Sequence, residues 1–345
     1  MNKPIFSKEQ FTLCEVPVPE GYPQSQTHSG IAYGDGKFFL TSSPYPVVKK
    51  WKARFRHLMQ IISNGRLYKK RPESFENPCL YIGMSETSMP PVRFCPMTNN
   101  PLMSTPDNYF GLPSYNSDPD VFYEGGRLRI LNRSFFRTKI YKDGRPCDSI
   151  TRIYLLEGIV DGNKFKLTRN TLIREWDKPF LSPCLTKFKG RYIFTYLDTN
   201  SAVDGMTFNG FYYSSYHSLN EICDAIECKR VSVKSGNYLP WHMSLFSYND
   251  KLFSIVACVE KGKKDKIWQM LGEFDEDLSE LTIYPTPLTD YNSYRGAACV
   301  NEQGIFVLYS SIVHELIQGS KSVDGRDIVM ANMPFSELLD KIKQP

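Results

Sequence analysis

The sequence lacks long apolar runs: nowhere do its 345 residues approach the roughly 20 consecutive apolar side chains of a membrane-spanning helix. The opening stretch, Met1 to Ser7, carries Lys3 and Pro4 and turns polar at once, so no secretory leader is legible and a cytoplasmic protein is expected. Closely spaced cysteine pairs are also missing. The nine cysteines (14, 79, 95, 147, 184, 223, 228, 258 and 299) are odd in number and scattered, and Cys223 with Cys228 alone is a weak metal signal. Several sit in apolar, strand-like runs such as Ser254 to Cys258, so reduced and buried thiols are expected rather than a zinc ribbon, a redox motif or a disulfide framework. No ligand spacing demands a metal, and no cofactor is expected.

What is present is aromatic weight and a localised charge. The 22 Phe and 21 Tyr allow a large core, and one domain over residues 1–345 is expected. The net charge of +5 resides in one segment: nine Lys or Arg and no Asp or Glu lie between Val47 and Arg71, and the rest of the chain is net acidic. That distribution, without an RNA- or DNA-binding signature, argues against nucleic acid as a partner.

One short pattern occurs five times: a small or polar start, a few apolar residues, a Gly/Asp/Asn-rich turn with Lys or Arg nearby, and a second apolar run. The copies are His28 to Leu40, Asp118 to Leu131, Ser182 to Phe194, His242 to Phe253 and Arg295 to Val307. Each reads as a β-hairpin by its turn chemistry. Hairpins at this spacing, with little helical periodicity, predict an all-β fold in which each copy opens a blade of about four strands, hence a five-bladed β-propeller. Radial closure would protect the edges of so many short strands; a pair of β-sandwiches is the competing arrangement.

In a propeller the first residues of each innermost strand face the central channel at one end. Counting back from the last apolar residue before each turn (Tyr33, Tyr123, Phe188, Tyr248 and Val300) gives His28, Asp118, Ser182 with Pro183, His242 and Arg295. Four of these five are ionisable, and such residues are costly near a core unless paired or hydrated. The second strands return to the same end with Asn132, Arg133, Asp198, Ser310 and Ser311, while Trp241, Tyr115 and Tyr294 flank the axial residues and suit stacking on sugar faces. A purely structural reading, in which Arg133 and Arg295 pair with Asp118 and Asp120 to hold blades together, competes with the functional one. His57, His217 and His314 fall outside the register.

The segment Tyr115 to Arg127, with Asp118-Pro119-Asp120 ahead of its hairpin, resembles the blade openings of the five-bladed glycoside hydrolases of family 43 and their relatives. The resemblance implies a carbohydrate-active enzyme with an oligosaccharide or polysaccharide substrate. In that family a first blade supplies an aspartate base, the next a pKa-tuning aspartate and the third a glutamate acid. Here His28 and Leu181-Ser182-Pro183 stand where the base and the acid would be expected, and Asp118 and Asp120 share one blade. Asp118 is therefore expected as general base, Asp120 as tuning or sugar-binding carboxylate, and Asp198 or Glu76 as the partner carboxyl that glycoside hydrolysis requires. His28, Arg133, Trp241, His242 and Arg295 are expected to bind substrate. The Asn-Pro turns at Asn77-Pro78 and Asn100-Pro101 resemble those of propeller mannoside phosphorylases, in which phosphate replaces water; a glycosyltransferase of cell-surface polysaccharide precursors and an inactive glycan-binding propeller are further alternatives.

Residues 46–72 form an insertion in or after the first blade. Val47, Val48, Trp51, Phe55, Leu58, Met59 and Ile62 recur at helical spacing between basic residues, so the segment is expected either to contact an anionic membrane surface peripherally through 47–71 or to pack on the propeller's side.

Overall fold

A computed structural model describes residues 3–45, 59, 76–84, 89–107, 114–137, 149–177, 179–202, 205–223, 228–261, 267–289, 293–313 and 326–343. The basic insertion lies outside the described residues save for Met59.

The predicted hairpins form where the turn residues demand them. β2 (Ser25–Gly34) turns into β3 (Lys37–Tyr45), β6 (Ser114–Glu124) into β7 (Arg127–Arg137), β10 (Leu181–Phe188) into β11 (Arg191–Ala202), and β14 (Tyr238–Tyr248) into β15 (Lys251–Glu260). Asp35 and Gly36, Gly125 and Gly126, Lys189 and Gly190, and Asn249 and Asp250 all have positive φ, between 46° and 77°. Two consecutive positive-φ residues match the right-handed twist of the strands they join, as a type I′ turn does. The fifth hairpin, β18 (Ser293–Val300) to β19 (Ile305–Val313), uses a longer turn in which Asn301 Oδ1 accepts the Gln303 and Ile305 N–H groups.

Each hairpin is extended outwards into a four-stranded unit. β2 and β3 continue to β4 (Cys79–Met84) and β5 (Cys95–Pro96); β6 and β7 continue to β8 (Ser149–Asp161) and β9 (Lys164–Trp176). β10 and β11 continue to β12 (Gly205–Tyr216) and β13 (Lys229–Lys234), and β14 and β15 to β16 (Ile267–Phe274) and β17 (Glu280–Pro287). These last two units merge into one eight-stranded sheet because β13 and β17 pair in parallel, Ser232 opposite Glu280 and Lys234 opposite Thr282. The remaining sheet adds β20 (Arg326–Pro334) to β18 and β19 and is completed by β1 (Thr12–Leu13), which comes from the other end of the chain.

Burial follows position. β2 and β10 are covered along nearly their whole length, whereas β9, an edge strand with Lys164, Lys166, Arg169 and Arg174, is largely exposed; charge on an edge discourages pairing with another molecule. Apolar clusters fill the space between successive units: Phe39, Leu80, Ile130 and Leu156; Leu131, Leu155, Phe194 and Tyr216; Leu197, Phe211, Val256 and Met270. Next come Phe253, Leu271, Phe306 and Leu308, sealed by Phe335 and Leu338 of the helix Phe335–Lys343, and finally Leu40, Tyr81, Val307 and Tyr309 between the last unit and the first. Each fully buried Phe or Leu contributes roughly 1.5–3 kcal/mol. The first strands neighbour one another in a cycle, β2 to β6 to β10 to β14 to β18 and back to β2. The fold is all-β and β-propeller-like.

No disulfide joins any of the described cysteines, and Cys14, Cys79, Cys184, Cys258 and Cys299 are buried. No helix among the described residues is long and apolar enough to cross a membrane.

Candidate functional site

All five first strands break their pairing near the start: between Thr27 and Gly30, Ser117 and Asp120, Leu181 and Cys184, Pro240 and His242, and Ser293 and Gly296. In four of the strands the residues freed from the ladder include the one that the repeat brought into register, His28, Asp118, Ser182 or Arg295; in β14 Trp241 is freed and His242 resumes the pairing opposite Ala257. His28, Asp118 and Ser182 adopt φ values of 59°, 51° and 49°. Non-glycine residues in this region cost on the order of 1–3 kcal/mol and persist where the surroundings hold them, commonly at sites. A bulge re-aims a side chain, and repeated around the ring it turns five of them towards one another.

Asp118, fully buried, is the hub. Its Oδ1 lies 2.5 Å from His28 Nδ1, 3.6 Å from His242 Nδ1 and 3.9 Å from Arg295 Nη1. Its Oδ2 lies 3.0 Å from Arg133 Nε and accepts the Ser182 N–H at 3.1 Å. Burial alone would raise its pKa, but Arg133 above all, then His28 and His242, hold it well below the usual carboxylate range.

His28 bridges two carboxylates, with Nε2 3.2 Å from Glu76 Oε2. Burial lowers its pKa, but Asp118 and then Glu76 outweigh that and raise it. Glu76, in the segment just before β4, is itself buried and accepts the Ser117 hydroxyl at 2.8 Å. His242 shares a hydrogen bond of 2.8 Å between Nδ1 and Ser182 Oγ, and burial drives its pKa well below the ordinary histidine value.

Arg295, completely buried, reaches across from β18 to β6. Its Nη1 donates to the Pro119 carbonyl at 3.3 Å and its Nη2 lies 3.5 Å from Asp120 Oδ1. Asp120 Oδ2 also accepts the Leu185 N–H at 3.4 Å. Burial pushes the Asp120 pKa up to about 6 against the pull of Arg295. Arg133 Nη1 donates to Phe180 O at 3.0 Å, so it ties β7 to the entry of β10.

Aromatic groups overlie the cluster. The half-buried Trp241 stacks on the His242 ring at 5.7 Å, and Tyr294 meets Trp241, His242 and His28 at 5.7, 4.9 and 5.0 Å. The Arg326 guanidinium lies 3.8 Å over Tyr294. Beside them, Asn116 donates to Asn77 Oδ1 at 2.8 Å and accepts from Asn132 and Ser134, forming a buried amide chain.

Of the expected residues, the structure thus gathers His28, Asp118, Asp120, Arg133, Trp241, His242 and Arg295 into one contiguous set. Asp198 has Asn209 on the neighbouring strand β12 as its hydrogen-bonded partner, at 3.1 Å. Ser310 and Ser311, expected at the rim, are buried stitches to Ser293 and Ser29. Arg326 went unpredicted, since it opens the third strand of its unit, where the repeat gives no register. A cavity of about 450 Å³ opens at the turn end of β10 and β11, lined by Lys189, Arg191, Tyr213, Lys229 and Glu276 among others, but it contains none of the axial groups on which the ionisable residues converge.

Two residues, His28 and His242, together with Asp118 have the composition of a cation site: each offers a ligand atom, and the three atoms lie within 4.8 Å of one another.

No known protein family matches the sequence, and no curated protein sequence does. Solved structures do share the fold, and among them are β-xylosidases and an arabinanase of the propeller glycoside hydrolase class. An N-acetylgalactosamine deacetylase from F. plautii, in complex with blood group B trisaccharide, superposes with a TM-score of 0.61 at 12% identity over 99% of this chain and 96% of that one. A xylan β-1,4-xylosidase from Bacillus halodurans C-125 gives 0.61 at 12% identity over 92% of this chain; the match spans 54% of that longer enzyme. The GH43_1 enzyme from Xanthomonas citri with xylotriose gives 0.55 at 10% identity, covering 93% of this chain and 90% of that one.

Proposed function

We propose that this chain is a carbohydrate-active hydrolase, a single five-bladed propeller that takes a glycan at the open end of its ring. The eight-stranded sheet is two blades joined edge to edge. The observation that carries the reading is the convergence of His28, Asp118, His242 and Arg295 from four first strands beneath the aromatic pair Trp241 and Tyr294. Buried charge under an aromatic ledge suits a ligand with both hydroxyl-rich edges and apolar ring faces. The same fold holds xylotriose in one neighbour and a blood-group trisaccharide in another, which supports a glycan as ligand.

In this reading Trp241 stacks on a sugar ring, His28 and His242 face the reacting group, and Arg133 and Arg295 fix Asp118 and Asp120. Asp120 is the carboxyl poised to exchange a proton near neutrality, and Asp198 serves at the rim. A phosphate-dependent activity has less support, because both arginines are already committed to carboxylates.

The test is binding to an immobilised glycan panel by wild type and Trp241→Ala. Selective capture by wild type, weakened at least about 5-fold in the variant, is expected from the loss of about 1 kcal/mol of stacking. Absence of capture by wild type across neutral, acidic and acylated glycans would overturn the reading.

A further inference from the structure

We infer that His28, Asp118 and His242 form a divalent-cation site at the mouth of the ring, and that this cation makes an acyl group carried by the glycan, rather than a glycosidic linkage, the bond that is hydrolysed. The inference rests on the carbohydrate reading for its substrate, whereas the cation site stands on the side-chain geometry alone.

The first observation is a buried atom without a partner beside a buried pair. His242 Nε2 is buried and lacks a hydrogen-bond partner. Next to its ring, His28 Nδ1 and Asp118 Oδ1 face each other at 2.5 Å. A buried polar atom left unsatisfied costs about 1–3 kcal/mol, so His242 Nε2 calls for a partner. A cation supplies one. One ligand atom from each of the three residues lies within 4.8 Å of the other two, against an edge of about 3.3 Å for ligands about 2.0 Å from a tetrahedral ion.

The second observation is that the other polar atom of each ligand is already occupied. Glu76 Oε2 sits at 3.2 Å from His28 Nε2, and Ser182 Oγ shares a hydrogen bond with His242 Nδ1. Asp118 Oδ2 accepts the Ser182 N–H and faces Arg133 Nε. In metal sites such outer partners orient the ligand and choose which atom it presents, and a carboxylate behind a histidine is a common form. The atoms left over are His28 Nδ1, Asp118 Oδ1 and His242 Nε2. Two histidines and one carboxylate hold zinc and related divalent ions while leaving positions open for water and substrate.

The choice of bond follows. Glycoside hydrolysis ordinarily uses two carboxyl groups, one on each side of the linkage. Both oxygens of Asp118 are already engaged, by His28 at 2.5 Å and by Arg133 and the Ser182 N–H at 3.0 and 3.1 Å, and Ser182 rather than a carboxyl stands at the opening of the next blade. A divalent ion instead polarises a carbonyl oxygen and supplies hydroxide from its bound water at neutral pH. Hydroxide oxygen then bonds to the acyl carbon, the bond from that carbon to nitrogen or oxygen breaks, one water proton passes to the departing amine or alcohol, and the other leaves the new carboxylic acid for the amine or for solvent. The products are a carboxylate and a deacylated sugar, with no oxidant or reductant involved.

The experiment uses the full-length protein stripped with a chelator and titrated with Zn²⁺, Mn²⁺ and Co²⁺ by calorimetry, with the Co²⁺ absorption spectrum recorded in parallel. One equivalent of cation is expected, with visible bands characteristic of low-coordinate nitrogen and oxygen ligation in wild type, a readout that needs no variant. His242→Ala should lose binding, and Glu76→Gln should weaken it about 10- to 100-fold through His28. No stoichiometric cation in wild type, or unchanged binding in folded His242→Ala, would overturn the site. Release of acetate from N- or O-acetylated oligosaccharides only in the reloaded protein supports the bond assignment; glycosidic cleavage independent of cation overturns it. Stoichiometric cation with no glycan bound would leave the site standing and remove the carbohydrate reading.

Discussion

Asp118→Asn removes one charge and almost no volume from the most buried point of the cluster. In wild type that charge faces Arg133 at 3.0 Å, His28 at 2.5 Å and Arg295 at 3.9 Å, all within the protein interior. Asparagine retains an acceptor for the Ser182 N–H, but Arg133 loses the anion that offsets its desolvation while Arg295 keeps Asp120, and breaking a buried pair from one side costs about 3–5 kcal/mol. For a chain of this length, whose unfolding entropy scales with residue number, that corresponds to a fall in Tm of about 4–7 °C. The assay is chelator-treated protein followed by thermal and urea denaturation at pH 7, with unchanged m values as evidence that the compact state is retained. The pH dependence adds a sign. Asp118 has a depressed pKa in the folded state, so its contribution is present above the ordinary carboxylate pKa and is lost as the pH falls through the lowered value. The gap between wild type and variant should therefore narrow below about pH 4. A variant as stable as wild type at pH 7 would refute the account of Asp118 as the charge that holds the ring's mouth together.

Asp120 titrates in the opposite sense: folded protein holds its proton up to about pH 6, against 3.8 for the ordinary group. Its contribution is full below the ordinary pKa and is lost as the pH rises to 6, on the order of 3 kcal/mol in all, so Asp120→Asn should flatten the stability profile over that window in pH-resolved urea melts. Gly30→Ala places a Cβ 2.5 Å from Thr41 Oγ1 and 3.1 Å from Asp120 Cα, and should cost about 1–3 kcal/mol in thermal melts while displacing the β2–β6 contact beneath His28. Trp241→Ala should leave Tm within about 2 °C of wild type, since Trp241 is half-buried and its chief contacts are His242 and Tyr294, while the glycan affinity falls.

The hairpins were legible because their turns are chemically explicit: Asp35-Gly36 and Gly125-Gly126 admit the positive φ that a tight hairpin requires. The axial set was legible for a related reason. A register of about five residues back from each turn is a property of the repeat, so His28, Asp118, His242 and Arg295 were found together without any motif linking them. Glu76 lies outside that register, in the segment leading into a third strand, and only its acidity marked it. The parallel pairing of β13 with β17 was not legible, since an outer strand such as Lys229–Lys234 carries little apolar pattern and its partner lies far along the chain. Nor does sequence reveal how many donors surround Asp118 or that they hold its pKa well below the usual carboxylate range. Donor count around a carboxylate depends on which groups arrive from elsewhere in the fold: Arg133 comes from the returning strand of the same hairpin, whereas His28, Ser182 and Arg295 come from three others.

The most direct test of the central claim is mass-spectrometric product analysis of an oligosaccharide panel, acetylated and unacetylated, incubated with cation-loaded wild type, with Trp241→Ala and with His242→Ala. The account predicts turnover of a glycan by wild type, weakened substrate binding in Trp241→Ala and loss of turnover in His242→Ala. Turnover unaffected by both substitutions would place the chemistry away from the ring's mouth, and absence of any glycan product or complex would contradict a carbohydrate-active protein.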